Sequence, residues 1–351
     1  MQEDARSFVR GRGAGFNPPN RFERLHIEPD PGEMSRPETI FYSDTSRSAF
    51  AKNDSPDVGF TFSLNPYRGC EHGCIYCYAR PSHEYLGFSS GLDFESRIVV
   101  KTNAPELMAK QFESKNWKPQ TVALSGNTDP YQPAESKLRL TRKCLEVFLA
   151  YRNPVAIITK NYRITKDLDI LTELAQRKLV KASISITSLD DDLIGVMEPR
   201  TSRPARRLQA IRELSDAGIP VSVMVAPVIP GLTDEEMPRI LEAARDHGAL
   251  SAGYIVMRLP QSVEHLFVEW IKTHFPDREN RVLSRIRSMR GGALSDARFG
   301  VRMRGQGEWA DVLSRLFRMS VRRFGLKQGP YELDANQFRR LQDGQQDLFA
   351  S

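Results

Sequence analysis

Residues 65–80 read Asn65-Pro-Tyr-Arg-Gly-Cys-Glu-His-Gly-Cys-Ile-Tyr-Cys-Tyr-Ala-Arg80 and hold three of the four cysteines of the chain. These are Cys70, Cys74 and Cys77, separated by three residues and then by two. Three thiolates on one short loop repel one another unless a cation takes up their charge, so the spacing indicates a metal site. Gly69 and Gly73 allow the backbone to fold around such a site.

Two kinds of metal site fit these cysteines. A structural zinc site normally closes with four protein ligands, and the candidates for the fourth are His72, His83 and the distant Cys144. A [4Fe–4S] cluster held by three thiolates instead leaves one iron open, which suits a site that binds a small chelating molecule. Three cysteines cannot all pair in disulfides, and nothing marks the chain as secreted. The spacing therefore favours the cluster over zinc and over a disulfide.

The motif C-x3-C-x2-C, with the aromatic Tyr76 before its third cysteine, resembles the signature of the radical S-adenosylmethionine (radical SAM) enzymes. The flanking N-P-Y-R-G-C and C-Y-A-R segments resemble the branch related to spore photoproduct lyase, often labelled "DNA repair photolyase". The resemblance covers roughly residues 10–275. It implies that Cys70, Cys74 and Cys77 hold a [4Fe–4S] cluster whose open iron chelates S-adenosylmethionine. It also implies an external electron donor such as flavodoxin or ferredoxin, and a 5′-deoxyadenosyl radical that abstracts hydrogen from a substrate.

Six short apolar strands, each followed by an amphipathic helical pattern, are predicted after residue 60. They lie near residues 61–65, 121–125, 154–159, 181–187, 220–226 and 252–257. This alternation predicts an α/β fold with a parallel sheet, which right-handed crossovers curl toward a barrel. Six units fall short of the eight of a complete barrel. The resemblance implies the partial (β/α)6 TIM-type barrel of radical SAM enzymes, with an N-terminal arm and a mainly helical C-terminal extension.

Ligands of α/β folds bind at the carboxyl ends of the strands, and polar residues follow two of the predicted strands there. Gly126-Asn127-Thr128-Asp129 follows the second strand, and the resemblance assigns this position to the amino group of S-adenosylmethionine. The alternative is a turn in which Asp129 caps the next helix. Ser183 and Ser185 share one face of the fourth strand, near which the family binds ribose hydroxyls.

The resemblance also implies contacts to the adenine and the carboxylate of the cofactor. The family uses the turn after the fifth strand against adenine, which suggests Ile229 and Gly231 here, together with Tyr76 from the cysteine loop. One arginine, Arg200 or Arg206, is expected to clamp the carboxylate in bidentate fashion. The alternative for both arginines is an ordinary exposed position at the start of a helix.

The chain departs from spore photoproduct lyase at one position. That enzyme has Cys-Thr-Ser-Asp where this chain has Gly126-Asn127-Thr128-Asp129, and its cysteine returns a hydrogen atom to the product radical. The remaining thiol here, Cys144, lies on a helical apolar face with Leu140 and Phe148, which predicts a buried structural residue. The resemblance therefore supports radical chemistry without indicating thymine-dimer reversal, and the hydrogen-atom donor stays unassigned.

The composition is that of a globular protein. The 351 residues include 40% hydrophobic and 27% charged residues, and the net charge is +6. No apolar run approaches the roughly 18–20 residues of a membrane span, and the N-terminus lacks a hydrophobic signal core. We therefore expect a cytoplasmic protein without a membrane partner. The mild positive charge permits a polyanionic partner such as DNA.

The sequence predicts four segments: an N-terminal arm (1–60), the radical SAM barrel (61–277), a basic helical extension (278–340) and a flexible tail (341–351). Residues 10–22 mix arginine with glycine and aromatic residues, which indicates either contacts to phosphates or an arm tucked over the barrel rim. Between residues 278 and 327, thirteen lysines and arginines face four acids. This excess predicts either a nucleic-acid-facing patch or a solvated cap over the open barrel.

The tail ends in Gln345-Gln-Asp-Leu348-Phe349-Ala-Ser351. It resembles the short peptide by which bacterial DNA-maintenance proteins dock on the replication sliding clamp. Leu348 and Phe349 would fill an apolar pocket, and Gln345 would supply a polar contact. The alternative is a frayed chain end.

These observations predict a radical SAM enzyme that acts on an unknown substrate, with damaged DNA as one candidate and lyase-like DNA repair as the activity. Two alternatives remain open from the sequence. The radical could modify RNA, a peptide or a metabolite instead. The chain could also be a non-catalytic module that binds nucleic acid or the clamp and uses its metal structurally. Polar residues at several strand ends favour an enzyme, because a scaffold would not need them.

Overall fold

The structure is a computed structural model that describes residues 11–23, 38–329 and 331–341. The strands are β1 (Ile40–Ser43), β2 (Phe50–Lys52), β3 (Phe62–Leu64), β4 (Tyr67–Arg68), β5 (Arg97–Val100), β6 (Val122–Leu124), β7 (Val155–Thr159), β8 (Val180–Ser185), β9 (Val221–Val228), β10 (Ser251–Val256) and β11 (Lys327–Gln328). The α-helices are α1 (Leu92–Ser96), α2 (Ala104–Glu113), α3 (Glu135–Leu138), α4 (Leu140–Tyr151), α5 (Leu168–Gln176), α6 (Asp191–Met197), α7 (Pro204–Asp216), α8 (Met237–Asp246), α9 (Ser262–His274), α10 (Pro276–Met289) and α11 (Glu308–Phe324). Short 3₁₀ helices span Arg80–Leu86, Tyr162–Asp167, Asp234–Glu236 and Ala335–Gln337. None of the described helices combines the length and the apolar character of a membrane span.

The main sheet contains the six predicted strands. Its order is β11-β10-β9-β8-β7-β6-β3-β2, and each neighbouring pair from β3 to β11 is parallel. Strand β2 joins one edge in antiparallel orientation, and β11 extends the other edge by two residues. The partial (β/α)6 barrel is therefore confirmed. The sequence did not predict β2 and β11, because two or three residues are too few to show a periodic pattern.

A second, smaller sheet has the order β1-β5-β4. Strand β1 runs parallel to β5, and β4 pairs with β5 in antiparallel orientation. The predicted arm therefore contributes one strand to each sheet, β1 to the small one and β2 to the main one. Since β4 lies just before Cys70, the small sheet also fixes the entrance of the cysteine loop.

The core lies between the main sheet and its helices. Strand β7 buries Val155, Ile157 and Thr159 at every second position, as expected where one face of a sheet is covered. Helix α4 buries Cys144 and Phe148 at helical spacing against the same core. The prediction of a buried structural thiol at Cys144 is confirmed.

Two loops meet over the open side of the barrel. One connects β2 and β3 at one edge of the main sheet. The other precedes α11 and reaches the opposite edge, where Val256 N–H donates to the Met303 carbonyl (2.9 Å). Between them, Asp57 accepts hydrogen bonds from the Arg302 guanidinium (2.5 Å) and from Gly300 N–H (2.7 Å). The C-terminal extension thus caps the gap in the barrel, as one of its two alternative predictions stated.

The arginines of the extension divide into two groups. Arg281 and Arg285 of α10 are bound by the Gly231 carbonyl and the Asp234 carboxylate. Others lie exposed along α11: Arg315, Arg318 and Arg322. A nucleic-acid-facing patch within residues 278–327 therefore stays a prediction. The proposed clamp motif of Gln345, Leu348 and Phe349 lies outside the described residues.

Candidate active site

A cavity of about 470 Å³ lies inside the barrel at the carboxyl ends of its strands. This volume falls in the range of about 300–1,000 Å³ that is usual for small-molecule sites. The strands and the loops that follow them contribute Ser63, Ser125–Asp129, Thr159, Lys160, Ser185, Ala226, Pro227 and Met257–Arg258 to its wall. The cavity therefore occupies the position at which α/β folds bind ligands.

Three thiols line the cavity together. Cys70 and Cys74 are buried and Cys77 is half-buried, and Gly69 and Gly73 turn the loop with φ of +78° and +68°. Burial raises the pKa of all three thiols, so a metal must replace their protons to bind there. Among the described residues, no three His, Cys, Asp or Glu side chains converge on a point where one metal ion could be held. The ligands of a [4Fe–4S] cluster bind different irons and need no such convergence, so this donor set fits the cluster.

An ion pair with no solvent exposure holds the cysteine loop from behind. The Arg80 guanidinium pairs with the Glu95 carboxylate, and both side chains are fully buried. Arg80 also donates to the carbonyls of Gly73 (3.1 Å), Cys74 (3.0 Å) and Ser90 (3.1 Å). Its remaining N–H groups therefore bind two carbonyls of the loop that carries the cysteines and one of the segment before α1. The pair explains why the chain has arginine three residues after Cys77.

The N-terminal arm packs directly on this loop. Backbone N–H groups of Gly13 and Ala14 donate to the two oxygens of the Glu95 carboxylate (3.0 and 2.8 Å). A Cβ atom at position 13 would lie 1.7 Å from the Gly73 carbonyl oxygen, so only glycine permits this approach. The described part of the arm is therefore tucked against the barrel, which confirms the structural alternative for residues 11–22.

The polar turn after β6 lies in the cavity, as the sequence predicted. Ser125 and Gly126 have φ of +148° and +124°, and the Asn65 side-chain oxygen accepts from the N–H groups of Asn127 (2.9 Å) and Thr128 (3.3 Å). The Thr128 hydroxyl is buried and has no hydrogen-bond partner in the described structure. An orphaned hydroxyl in a cavity wall is expected to bind a ligand. This turn therefore fits a bound cofactor.

Asp129 makes structural contacts that the sequence did not predict. Its oxygens accept from the Thr159 hydroxyl (2.6 Å) and from the N–H groups of Lys160 (2.8 Å) and Tyr131 (2.9 Å), and the His72 ring lies 3.4 Å away. Burial alone would raise the pKa of Asp129, but His72 and Thr159 hold it below its usual value. The carboxylate joins the cysteine loop to β7 and also lines the cavity. Its contact with the ammonium group of a cofactor stays a prediction.

The two histidines considered as zinc ligands are both placed by other contacts. His72 has Asp129 at one ring nitrogen and the Asn161 amide at the other (3.1 Å), so neither nitrogen is open to a metal. His83 is fully buried between the rings of Phe88 and Phe94, with centroid distances of 5.2 and 5.6 Å. These contacts weigh against the zinc alternative.

A buried carboxylate that the sequence did not identify organises the opposite wall. Glu198 accepts hydrogen bonds from the Tyr76 and Thr187 hydroxyls and pairs with Arg207 and with Lys160 (3.3 Å). Burial alone would raise the pKa of Glu198, yet Arg207 and Lys160 hold it far below its usual range. Tyr76 itself lines the cavity, as predicted. Its hydroxyl is fixed by Glu198, so its ring is held rigidly beside the cysteines.

The two arginines predicted to clamp the cofactor lie outside the cavity wall. Arg200 pairs with Glu71 (3.2 Å) on the outer side of the cysteine loop. Arg206 is exposed and stacks on the Tyr162 ring at 3.8 Å. Its neighbour Arg207 is the buried one, because adjacent helix positions point about 100° apart. The cation that does line the cavity here is Lys160.

Three further predicted residues lie away from the cavity wall. Ser183 shares the barrel interior with Ser185, but its hydroxyl is paired with that of Ser222 at 2.6 Å, and only Ser185 reaches the cavity. Ile229 is fully buried, and its N–H donates to the Thr233 hydroxyl within the same turn. Gly231 follows in the same turn and packs against the arginines of α10. Ala226 and Pro227 contribute the wall at the end of β9 instead.

The far end of the cavity was not predicted. Tyr78, one residue after Cys77, donates to the Gly126 carbonyl (2.5 Å), and the Arg258 guanidinium lies 4.7 Å from its ring. Phe60 and Lys52, from the loop and strand of the arm, line the same end. The aromatic residue in C-Y-A-R was the one available signal for Tyr78.

Comparisons with known proteins identify the family of the chain. The family model described as the radical SAM superfamily matches residues 64–244, just over half of the chain. An uncharacterized protein of Mycobacterium tuberculosis is 37% identical over 224 residues, which cover 63% of this chain and 66% of that protein. An uncharacterized protein of Methanocaldococcus jannaschii is 28% identical over 185 residues, covering 52% and 66%. The chain thus spans just under two thirds of the length of these relatives.

Solved structures of spore photoproduct lyase share the fold. The structure complexed with dinucleoside spore photoproduct has a TM-score of 0.61 at 18% identity and covers 85% of each chain. A double mutant with bound AdoMet and dinucleoside spore photoproduct has a TM-score of 0.60 at 18% identity, covering 84% of this chain and 82% of that one. At 18% identity, this similarity shows a shared fold and nothing more specific.

The Arg80–Glu95 pair makes the first prediction. Replacing Glu95 by glutamine leaves the Arg80 charge buried without its partner, so we expect a loss of roughly 3–5 kcal/mol in the free energy of unfolding. We also expect less iron and sulfide per chain after anaerobic reconstitution. Urea unfolding and iron analysis measure both. Glu106→Gln, at an exposed position of α2, is the matched control and should change neither. Normal iron content in Glu95→Gln would show that the pair does not hold the loop.

His83 makes a prediction about pH. Burial lowers the pKa of His83 from 6.5 to about 4. The unfolded chain therefore binds a proton that the folded chain does not, and stability falls as the pH drops from about 6.5 toward 4. Between pH 7 and pH 5 this group should cost about 2 kcal/mol. His83→Phe keeps an aromatic ring in the pocket and should remove this part of the loss in the free energy of unfolding. Urea unfolding at pH 7 and pH 5, with both proteins in the same cluster state, measures it. An equal pH response of the two proteins would contradict the assignment.

Proposed function

The chain belongs to the radical SAM superfamily, whose members bind a [4Fe–4S] cluster and S-adenosylmethionine, and we propose that it is an enzyme that applies this chemistry to nucleic acid. Membership supports an enzyme that requires an external electron donor. The observation that carries the proposal is one cavity whose wall holds three thiols, two of them buried, together with the orphaned Thr128 hydroxyl. A structural metal module has no need of that cavity.

We assign the cluster to Cys70, Cys74 and Cys77, whose thiols share one cavity wall. When bound, the cluster supplies an electron and S-adenosylmethionine supplies a 5′-deoxyadenosyl radical. The chain's own residues bind and orient these two groups and shield them from solvent. Arg80 and Glu95 fix the loop, and the arm covers its outer side through Gly13. This cover limits the access of water to the loop.

We assign the binding of S-adenosylmethionine to the polar wall beside the cysteines. Thr128 offers its free hydroxyl, Ser185 a second one at the end of β8, and Tyr76 a rigid ring. Lys160 replaces Arg200 and Arg206 as the cation for the carboxylate, because it lines the cavity and lies 5.6 Å from the Tyr76 ring. Its charge also lowers the pKa of the neighbouring Cys74 and Cys77 thiols against the larger effect of burial.

DNA is the substrate class that the comparisons favour. The fold is that of spore photoproduct lyase, which has been seen with a dinucleoside photoproduct. Gly126 stands where the sequence resemblance aligns that enzyme's cysteine, so the reaction here differs at least in its hydrogen-atom donor. A base inside a duplex would have to be extruded to reach the cavity. Three more specific activities stay open: lyase-like repair of DNA, modification of RNA, and modification of a peptide or metabolite.

The sliding-clamp motif at Gln345, Leu348 and Phe349 stays a proposal from the sequence. Deleting residues 345–351 should abolish binding to a bacterial sliding clamp in a titration, because the two apolar anchors are lost. Unchanged affinity would exclude the motif. The deletion should leave the iron content intact, since it removes nothing from the barrel.

The proposed function predicts different defects for two cavity variants. Cys70→Ala removes a cluster ligand, so reconstituted protein should hold much less iron and release no 5′-deoxyadenosine when reduced with S-adenosylmethionine present. Lys160→Met should keep its iron but require at least about tenfold more S-adenosylmethionine, since it loses a charged contact. Chromatography of 5′-deoxyadenosine and iron analysis measure these effects.

The matched control is Cys144→Ala, which removes a thiol from the core far from the cavity. This variant should retain the cluster and should form as much 5′-deoxyadenosine as wild-type protein does. Wild-type protein that binds iron and sulfide but forms no 5′-deoxyadenosine would refute the proposed activity. If Cys70→Ala formed as much 5′-deoxyadenosine as wild type, the assignment of Cys70 as a cluster ligand would be refuted.

A further inference from the structure

The cavity wall carries four cations, and two of them pair with carboxylates. Lys160 pairs with Glu198, and Arg302 pairs with Asp57. Arg258 is different: among the described residues it makes no hydrogen bond and no ion pair, and its one contact is with the Tyr78 ring. Lys52 is exposed on the same end of the cavity.

The neighbours of Arg258 do not neutralise it. Asp57 acts on it electrostatically, but the oxygens of Asp57 are bound by Arg302 and Gly300. Arg258 is half-buried, and burial lowers its pKa although the group stays charged. A cavity-lining guanidinium that no carboxylate pairs with is available to an anionic ligand, which would supply the charge-assisted hydrogen bonds that Arg258 lacks.

The geometry around Arg258 favours a particular ligand. Arg258 follows β10 at the carboxyl edge of the sheet, where ligands of α/β folds bind. The guanidinium carbon lies 4.7 Å from the centre of the Tyr78 ring, and the N–H groups make no hydrogen bond among the described residues, so they can bind a phosphate in bidentate fashion. Phe60 and the half-exposed Tyr78 supply aromatic surface at the same end, which suits a nucleobase.

We propose that Arg258, assisted by Lys52, binds a phosphate group of the substrate, and that the substrate is a nucleotide unit whose base meets the aromatic surface of Phe60 and Tyr78. This inference rests on the proposed function, because it takes a phosphate of the substrate, and not the cofactor, as the ligand of Arg258. Two kinds of ligand present a phosphate beside a base: a free nucleotide and a nucleic-acid strand.

A competing role for Arg258 is to offset the charge of a cluster on the cysteine loop. The Cys77 thiolate acts on Arg258 electrostatically, as Tyr78 and Asp57 do. In that case Arg258→Gln would shift the reduction potential of the cluster and leave substrate binding unchanged. The two roles are therefore separable by measurement.

The test uses anaerobically reconstituted protein with S-adenosylmethionine and without reductant, so that binding is read independently of turnover. Three probes are titrated: a mixed-sequence single strand of six nucleotides, the same strand with a neutral methylphosphonate backbone, and a 5′-mononucleotide. Wild-type protein should bind the charged strand or the mononucleotide at least about tenfold more tightly than the neutral strand. Arg258→Gln should abolish the difference, and Arg258→Lys should restore part of it.

Arg239→Gln is the matched control, because it removes the same charge from an exposed position of α8, outside the basic extension. It should bind all probes as wild type does. Preference for the mononucleotide identifies a free nucleotide as the source, and preference for the strand identifies nucleic acid. The proposal is overturned if the neutral strand binds as tightly as the charged one, if no phosphate-bearing probe binds, or if Arg258→Gln keeps the difference. It is also overturned if Arg239→Gln is as defective. Release of 5′-deoxyadenosine on reduction is assayed separately, so failure of the proposed function is distinguishable.

Discussion

The ion pair between Arg80 and Glu95 is the interaction on which the site depends. It lies behind the cysteine loop, and its donors reach the carbonyls on both sides of the turn at Gly73. The same carboxylate binds the backbone of Gly13, so one group joins the cysteine loop to the N-terminal arm. Ile75 and Tyr76 anchor the loop in an apolar cluster, and the buried ion pair adds hydrogen bonds to the carbonyls of Gly73 and Cys74.

Two other carboxylates extend this principle across the cavity. Asp129 joins the cysteine loop, through His72, to the end of β7. Glu198 joins Tyr76 to the ends of β7 and β8 through Lys160 and Thr187. Both lie in positions where burial opposes their charge, and both are held ionised by specific partners. The walls of the cavity are therefore set before any ligand binds, as preorganised sites require.

The parts that the sequence predicted are those encoded locally. The cysteine spacing, the six strands and the polar turn at residues 126–129 all appear within short windows, so spacing and periodicity were enough. Arg206 and Arg207 show the limit, because a helix turns about 100° between neighbours and the sequence does not say which one faces inward. Ser183 and Ser185 share a face but lie about 6.6 Å apart along the strand, so only one reaches the cavity. Lys160 and Arg258 follow β7 and β10, and Glu198 follows α6, so these three residues take their places around the cavity only in the folded barrel.

The central claim is that three thiols of one loop hold an iron–sulfur cluster whose open iron is completed by S-adenosylmethionine. Electron paramagnetic resonance of the reduced, anaerobically reconstituted protein tests it most directly. The account predicts the signal of a reduced [4Fe–4S] cluster whose g-values shift when S-adenosylmethionine is added. A protein that carries one zinc ion and no inorganic sulfide, or a cluster signal that S-adenosylmethionine leaves unchanged, would contradict it.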